Sequence, residues 1–214
     1  MIAHALEIVQ NELKDNLLTY SENFSGSTDG LTVTLGNIAA VSVSQDKEPN
    51  TQSDILITLV NFREEKSLKN LPNYVRNEAA LKVTYENPPI FINLFVLFTV
   101  ITSNYPIALS ALSRIIRFFQ SKNVFTHDNV NPLWLDSPLI KEEDQLESFK
   151  LIMDMYSLSF EEINHLWGTL GGKQYPAVLY TMRMLDLKFR AVQKESGLIT
   201  EVQSDFYHKN PVGN

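Results

Sequence analysis

The run Asn87-Pro88-Pro89-Ile90-Phe91-Ile92-Asn93-Leu94-Phe95-Val96-Leu97-Phe98-Thr99-Val100-Ile101-Thr102-Ser103 constrains the rest of the chain. Two prolines open it, and Ser103-Asn104-Tyr105-Pro106 closes it. β-Branched and aromatic residues dominate, which predicts a strand. On a strand, Ile90, Ile92, Leu94, Val96, Phe98 and Val100 share one face, and Phe91, Phe95, Leu97 and Ile101 share the other. Both faces are apolar, so both must be covered, and a central strand between two layers satisfies that requirement. A membrane span does not fit: the run is far shorter than the roughly 20 apolar residues a transmembrane helix needs, and it contains Asn93 and Thr99. As a strand it is long, since about five or six residues is typical. The excess is expected to reach past the subunit's own core toward a neighbour.

The segments before this strand alternate between helix and strand patterns. Ile2, Leu6, Val9, Leu13 and Leu17 recur at helical spacing and predict an amphipathic helix from Ile2 to Tyr20. Leu31 to Leu35 alternates as a short strand, and Ile38 to Val43 reads as another. The segments 21–30 and 45–53 are polar loops. Ile55 to Val60 is a buried strand that runs on into Asn61-Phe62-Arg63-Glu64-Glu65-Lys66, where its apolar character stops and it leaves the core. Leu68 to Leu81 reads as an arm or hairpin tip, with Lys82 to Tyr85 returning as a strand.

After the central strand, Pro106 sits in the first turn of a helix whose buried side is marked by Ile107, Leu109, Leu112, Ile115, Ile116 and Phe119. A loop runs from His127 to Gln145, and residues 149–156 alternate as a strand. Ser159 with Glu162 three residues on predicts a capped helix, which Gly168-Thr169-Leu170-Gly171-Gly172 ends. A final strand spans Ala177 to Arg190, and Glu195-Ser196-Gly197 is expected to break the chain before a polar tail. The pattern predicts an α/β (α+β) domain over 1–190: a mixed sheet of about five or six strands flanked by about three helices, with a loop arm and a tail over 191–214.

The chain has 214 residues, 44% of them hydrophobic, which is enough for one sizeable core. Its formal net charge is −7 without a Lys/Arg cluster, which argues against a nucleic-acid partner. With no cysteine there is neither a disulfide framework nor a thiolate metal site, as suits a reducing cytoplasm. The N-terminus carries no basic stretch followed by an apolar run, so no secretion signal is expected.

The motifs that invite chemistry are weak. Gly168 to Lys173 fails the phosphate-loop spacing, with Trp167 where the first glycine belongs and Gln174 where Ser or Thr belongs. His165 has Glu161 one turn earlier, but no nucleophile accompanies the pair. A small hydrolase or ligand-binding domain using the His165 helix and the Gly168–Gly172 turn is the alternative reading. His4, His127 and His208 show no metal-ligand spacing. Glu142-Glu143-Asp144 reads as a solvated loop, and Phe118, Phe119 and Trp134 as core and lid aromatics. No cofactor and no metal are expected, and no enzymatic activity.

Four stretches in order carry a specific resemblance: Leu35 to Ala39; Leu59 to Asn70; Pro88-Pro89-Ile90 through Phe118-Phe119-Gln120-Ser121; and Leu158-Ser159 through Asn164-His165-Leu166-Trp167-Gly168 to Tyr180. Together they resemble the tail-terminator, or cap, proteins of extracellular contractile injection systems of the antifeeding-prophage and virulence-cassette type, across about residues 2 to 190. The Asn-His-Leu-Trp run is the most specific part. The resemblance implies a non-enzymatic cap with the fold of phage tail terminators: a homohexameric ring on the inner-tube protein that engages the sheath protein and stops polymerisation. It implies assembly in the cytoplasm into a particle, with no membrane and no nucleic-acid partner. Contacts are expected at two segments that leave the core. One carries Arg63, Glu64, Glu65, Lys66 and Tyr74, with charges of both signs; the other is the tail with Leu198, Ile199, Val202, Phe206 and Tyr207.

Overall fold

The computed structural model describes residues 1–23, 31–41, 54–68, 72, 74–77, 82–85, 87–187, 194–197 and 202–204. In chain order its elements are α1 (Ile2–Asn23), β1 (Thr32–Leu35), α2 (Ile38–Val41), β2 (Asp54–Glu64), β3 (Tyr74–Asn77), β4 (Lys82–Tyr85), β5 (Ile90–Ile101), α3 (Tyr105–Ser121), β6 (Val124–Thr126), β7 (Lys150–Tyr156), α4 (Phe160–Thr169), β8 (Ala177–Leu187) and β9 (Lys194–Gly197). The chain divides into two units, Met1–Lys69 with Ile90–Leu187, and Asn70–Pro89 with Lys188–Asn214.

The first unit is a mixed six-stranded sheet in the order β1-β2-β5-β8-β7-β6. β1 runs parallel to β2, and every other neighbouring pair is antiparallel. β5 is the central strand its sequence predicts. Leu94, Val96, Phe98 and Val100 lie in the larger core with Ile8 and Leu13 of α1 and Ile115 and Phe119 of α3. Leu97 lies in the smaller core with Ile38, Leu56, Trp167 and Leu179, and Phe95 and Ile101 pack against it. The even/odd alternation of one strand thus divides its side chains between two helix-covered faces. Phe98, Phe119 and Tyr180 stack at the centre of the larger core with ring centroids 4.6 to 5.7 Å apart. Burial there pushes the Tyr180 hydroxyl above its ordinary pKa.

Ile38 to Val41 departs from its expected strand: it forms the helical turn α2. Asn37 imposes the turn. Its side-chain carbonyl accepts from Ala39 N–H at 3.0 Å, its backbone carbonyl accepts from Ala40 N–H at 3.0 Å, and the two alanines favour the helix. Gly36 sits where α2 turns away from the sheet, and a Cβ there would stand 2.8 Å from Leu56 Cδ1. Pro106 lies in the first turn of α3 and Ser159 and Glu162 close a reciprocal capping box on α4, both as read; the Asn104 side chain, which the sequence pattern does not single out, caps α3. Gly172, at φ +77°, donates its N–H to the Trp167 carbonyl and ends α4.

The loop after β6 forms a strap across α1, with 3-10 turns at Pro132–Trp134 and Glu142–Asp144. Three polar side chains of α1 hold it. Glu12 accepts from Asn131 N–H at 2.8 Å, Asp15 from the Trp134 indole at 3.0 Å, and His4 Nδ1 from Leu146 N–H at 2.8 Å.

The second unit contains the antiparallel sheet β3-β4-β9. Its hairpin β3–β4 is the arm read from the sequence, and the Tyr74 and Tyr85 rings meet at 6.5 Å. Glu195-Ser196-Gly197 does not break the chain as expected; Lys194–Gly197 pairs with β4 as an edge strand. The hydrogen bonds of an edge strand come from its backbone, so a polar sequence forms one without an apolar pattern.

Candidate interaction surfaces

The charged end of β2 is built around a bulge. The register between β2 and β5 shifts between Leu59 and Asn61, and that between β5 and β8 shifts between Ile92 and Leu94. Beyond the shift, residues 61–64 are exposed, as the loss of apolar character predicts. Glu65 closes the strand end. Its N–H donates to the Phe91 carbonyl at 2.8 Å, one carboxylate oxygen accepts from the Ser67 hydroxyl at 2.7 Å and from Ser67 N–H at 3.2 Å, and the other accepts from the Asn93 amide at 3.0 Å. These donors, the Ser67 hydroxyl foremost, hold the Glu65 carboxyl below its ordinary pKa. Glu65 is therefore a turn-fixing residue. Sequence reasoning missed this because its partner Asn93 lies 28 positions away.

The Arg63 guanidinium lies 5.8 Å from the centre of the Phe95 ring, and Phe95 meets Tyr156 edge-on at 5.6 Å. Glu64 and Lys66 are exposed. Tyr74 and Val202 belong to the second unit and are exposed, Val202 to 82%. Leu198, Ile199, Phe206 and Tyr207 lie outside the described residues.

The features behind the alternative reading do not converge. His165 stands 3.8 Å from Glu161 on the open side of α4, and their side chains are 75% and 86% exposed. Gly171 and Gly172 form the helix stop. A groove of about 620 Å³ opens beside α4, but its walls are apolar and aromatic, including Leu109, Met155, Tyr156, Leu166 and Trp167. None of the residues lining it is a carboxylate, histidine, lysine or arginine, so His165 is not part of this groove. The groove's mouth is an exposed apolar patch, with Tyr105 63% and Met155 57% exposed. Nothing in the sequence pattern marks it, because these residues follow the same apolar periodicity as the core.

The family model described as the Pvc16 N-terminal domain matches residues 4–201. The chain belongs to this family. Two solved structures are similar to this Pvc16 N-terminal domain chain. One is the PVC sheath/tube terminator of an extracellular contractile injection system in its extended state, seen by cryo-EM. It matches with a TM-score of 0.63 at 11% identity, over 100% of this chain and 65% of that one. The other is the tube-terminating cap of the anti-feeding prophage, with a TM-score of 0.55 at 11% identity, over 92% of this chain and 60% of that one. At that identity the likeness establishes the tail-terminator fold, which the sequence resemblance implies. The chain spans less than two thirds of the length of either protein. No curated protein matches it in sequence.

Proposed function

We propose that this chain is a structural cap subunit that ends the inner tube and sheath of a contractile injection particle. One observation carries the reading: the whole chain follows the fold of a sheath/tube terminator, within a family match that spans 4–201. A terminator needs no catalytic centre; it needs surfaces that bind the last ring of a polymer and offer no further stacking site. Six copies form a closed ring, each presenting two different complementary patches to its neighbours. Arg63, Glu64 and Lys66 at the end of β2 form one patch, with Glu65 fixing the turn that presents them. Tyr74 and the tail residues Leu198, Ile199, Val202, Phe206 and Tyr207 supply contacts to neighbouring caps and to the sheath. The subunit assembles in the cytoplasm and leaves it as part of the particle.

Deletion of the protein tests the reading. Open stacking has no internal stop, so particles without it are expected to carry tubes of irregular, often excessive length in negative-stain images, or to fall apart. Uniform tubes of normal length in the deletion strain would refute it. Native mass measurement of the purified chain tests the ring: a concentration-dependent hexamer is expected, and a strict monomer in both solution and particle would refute six-fold closure.

A further inference from the structure

We propose that His4 is a pH-sensitive latch: its neutral ring holds the segment 135–149 against α1, and protonation of the ring releases it. His4 lies in the first turn of α1 and is 0% exposed. Its Nδ1 accepts the Leu146 N–H at 2.8 Å, joining residues 142 positions apart. A ring nitrogen that accepts a hydrogen bond carries no proton, so the ring is neutral with its proton on Nε2. Nε2 is buried too. It lies toward the backbone carbonyls of Trp134 and Leu135 without reaching a full hydrogen bond to either.

Protonation places N–H on both ring nitrogens. The Leu146 N–H then faces a donor instead of an acceptor, and the bond is lost. The new charge is buried at the positive end of a helix, where burial and the helix dipole oppose it and the Trp134 and Leu135 carbonyls favour it. The charged groups acting on the ring are Glu7, which favours the cation, and the Met1 ammonium, which opposes it; Asp144 of the strap faces that ammonium. Burial is the largest influence and sets the ring's pKa below its ordinary value of 6.5. The unfolded chain therefore takes up the proton first as pH falls. The latch's contribution is complete above about pH 6.5 and is lost between there and the lower folded value.

The strap responds because α1 is anchored independently. Ala5, Ile8, Val9 and Leu13 of α1 are fully buried in the larger core. The near half of the strap stays tied by Glu12 to Asn131 and by Asp15 to Trp134. Between Trp134 and β7, the His4–Leu146 bond is a buried polar tie from α1 to the strap; the Asp144 carboxylate acts on the Met1 ammonium, and Leu146 and Phe149 sit in the larger core. Leu139 within that segment is 88% exposed, and Glu142, Glu143 and Asp144 all face solvent.

The experiment is hydrogen exchange of the full chain, corrected for intrinsic rates, at about pH 7.5 and about pH 5, on either side of the histidine's ordinary range. Protection of peptides covering 135–149 is expected to fall about tenfold at the lower pH, while β5 keeps its protection. His4→Asn keeps an acceptor near the Nδ1 position but does not titrate, so its 135–149 protection is expected to stay level between the two pH values. Unchanged protection in the natural chain, or an equal fall in His4→Asn, would overturn the latch. An NMR titration of the natural chain needs no variant: the His4 ring and the Leu146 amide are expected to share one midpoint, and different midpoints would overturn it.

Discussion

Lys122 Nζ donates to Glu12 Oε2 at 2.6 Å, tying the residue after α3 to the middle of α1. The Glu12 side chain is only 11% exposed, and its other oxygen accepts the Asn131 N–H. One carboxylate thus joins two helices and the strap, while Lys122 also donates to the Asn129 carbonyl at 2.8 Å. Glu12→Ala leaves the Asn131 amide without its acceptor and removes the carboxylate from the partly buried Lys122 ammonium, which keeps the Asn129 carbonyl. The expected loss is about 3 kcal/mol, read from the midpoint of urea unfolding at neutral pH. A loss under about 0.5 kcal/mol, the scatter of ordinary surface substitutions, would show that the junction does not hold the helices.

Phe98 carries the larger core. It is 0% exposed and packs edge-on against Phe119 and Tyr180. Phe98→Ala is expected to cost about 3–5 kcal/mol, combining lost burial with a residual cavity. Phe95 makes a useful contrast, because it is half-buried at the margin of the smaller core. Phe95→Ala is expected to cost less than Phe98→Ala in the same denaturation series, and the reverse order would contradict the division of β5 between its two cores.

The ends of α4 rest on local devices. Ser159→Ala removes the N-cap and is expected to cost about 1 kcal/mol. Gly172→Ala places a Cβ at φ +77°, where there is open space but unfavourable backbone geometry, and is expected to cost about 1 kcal/mol. The bond from Ser159 N–H, with the Ser159 side chain next, holds the Glu162 carboxyl below its ordinary pKa. The capping box therefore stabilises the helix above the unfolded carboxylate range, near pH 4.3, and fades as pH falls through the lower folded value. Thermal unfolding followed at several pH values should show the difference between Ser159→Ala and the natural chain shrinking on acidification.

Truncation after Arg190 keeps all of the first unit and removes most of the second unit's C-terminal part. It removes β9 and leaves β3–β4 as a two-stranded hairpin, which is marginal alone in water. The six-stranded sheet has its own two cores and is expected to remain folded. Hydrogen exchange should show protection lost in 74–85 and kept in 90–101. Under the proposed cap function, this folded chain caps particles poorly in a complementation assay, whereas normal capping would make the tail dispensable.

Much of the architecture could be read directly from local patterns. The two-sided apolar run of β5 demands a covered central strand, because no exposed strand supports apolar side chains on both faces. The helical spacing of Leu6, Val9, Leu13 and Leu17 marks the buried side of α1, and Ser159 with Glu162 marks the start of α4. These signals are legible because each depends on residues within a turn or two of one another. The sequence resemblance located the family, which no periodicity can do.

Tertiary structure decided the rest. Ile38 to Val41 carries a strand-like composition, but the turn set by Asn37 and the seat for Ile38 against Leu56, Leu97 and Trp167 make it helical. Lys194–Gly197 has no apolar signal at all, and only the free edge of β4 makes it a strand. His4, Glu12 and Glu65 look like ordinary polar residues until strap, helix or strand brings Leu146, Lys122 or Asn93 beside them. Sequence spacing records neighbours along the chain, whereas hydrogen bonds, ion pairs and exposed apolar patches depend on which distant segments the closed fold brings together or leaves uncovered.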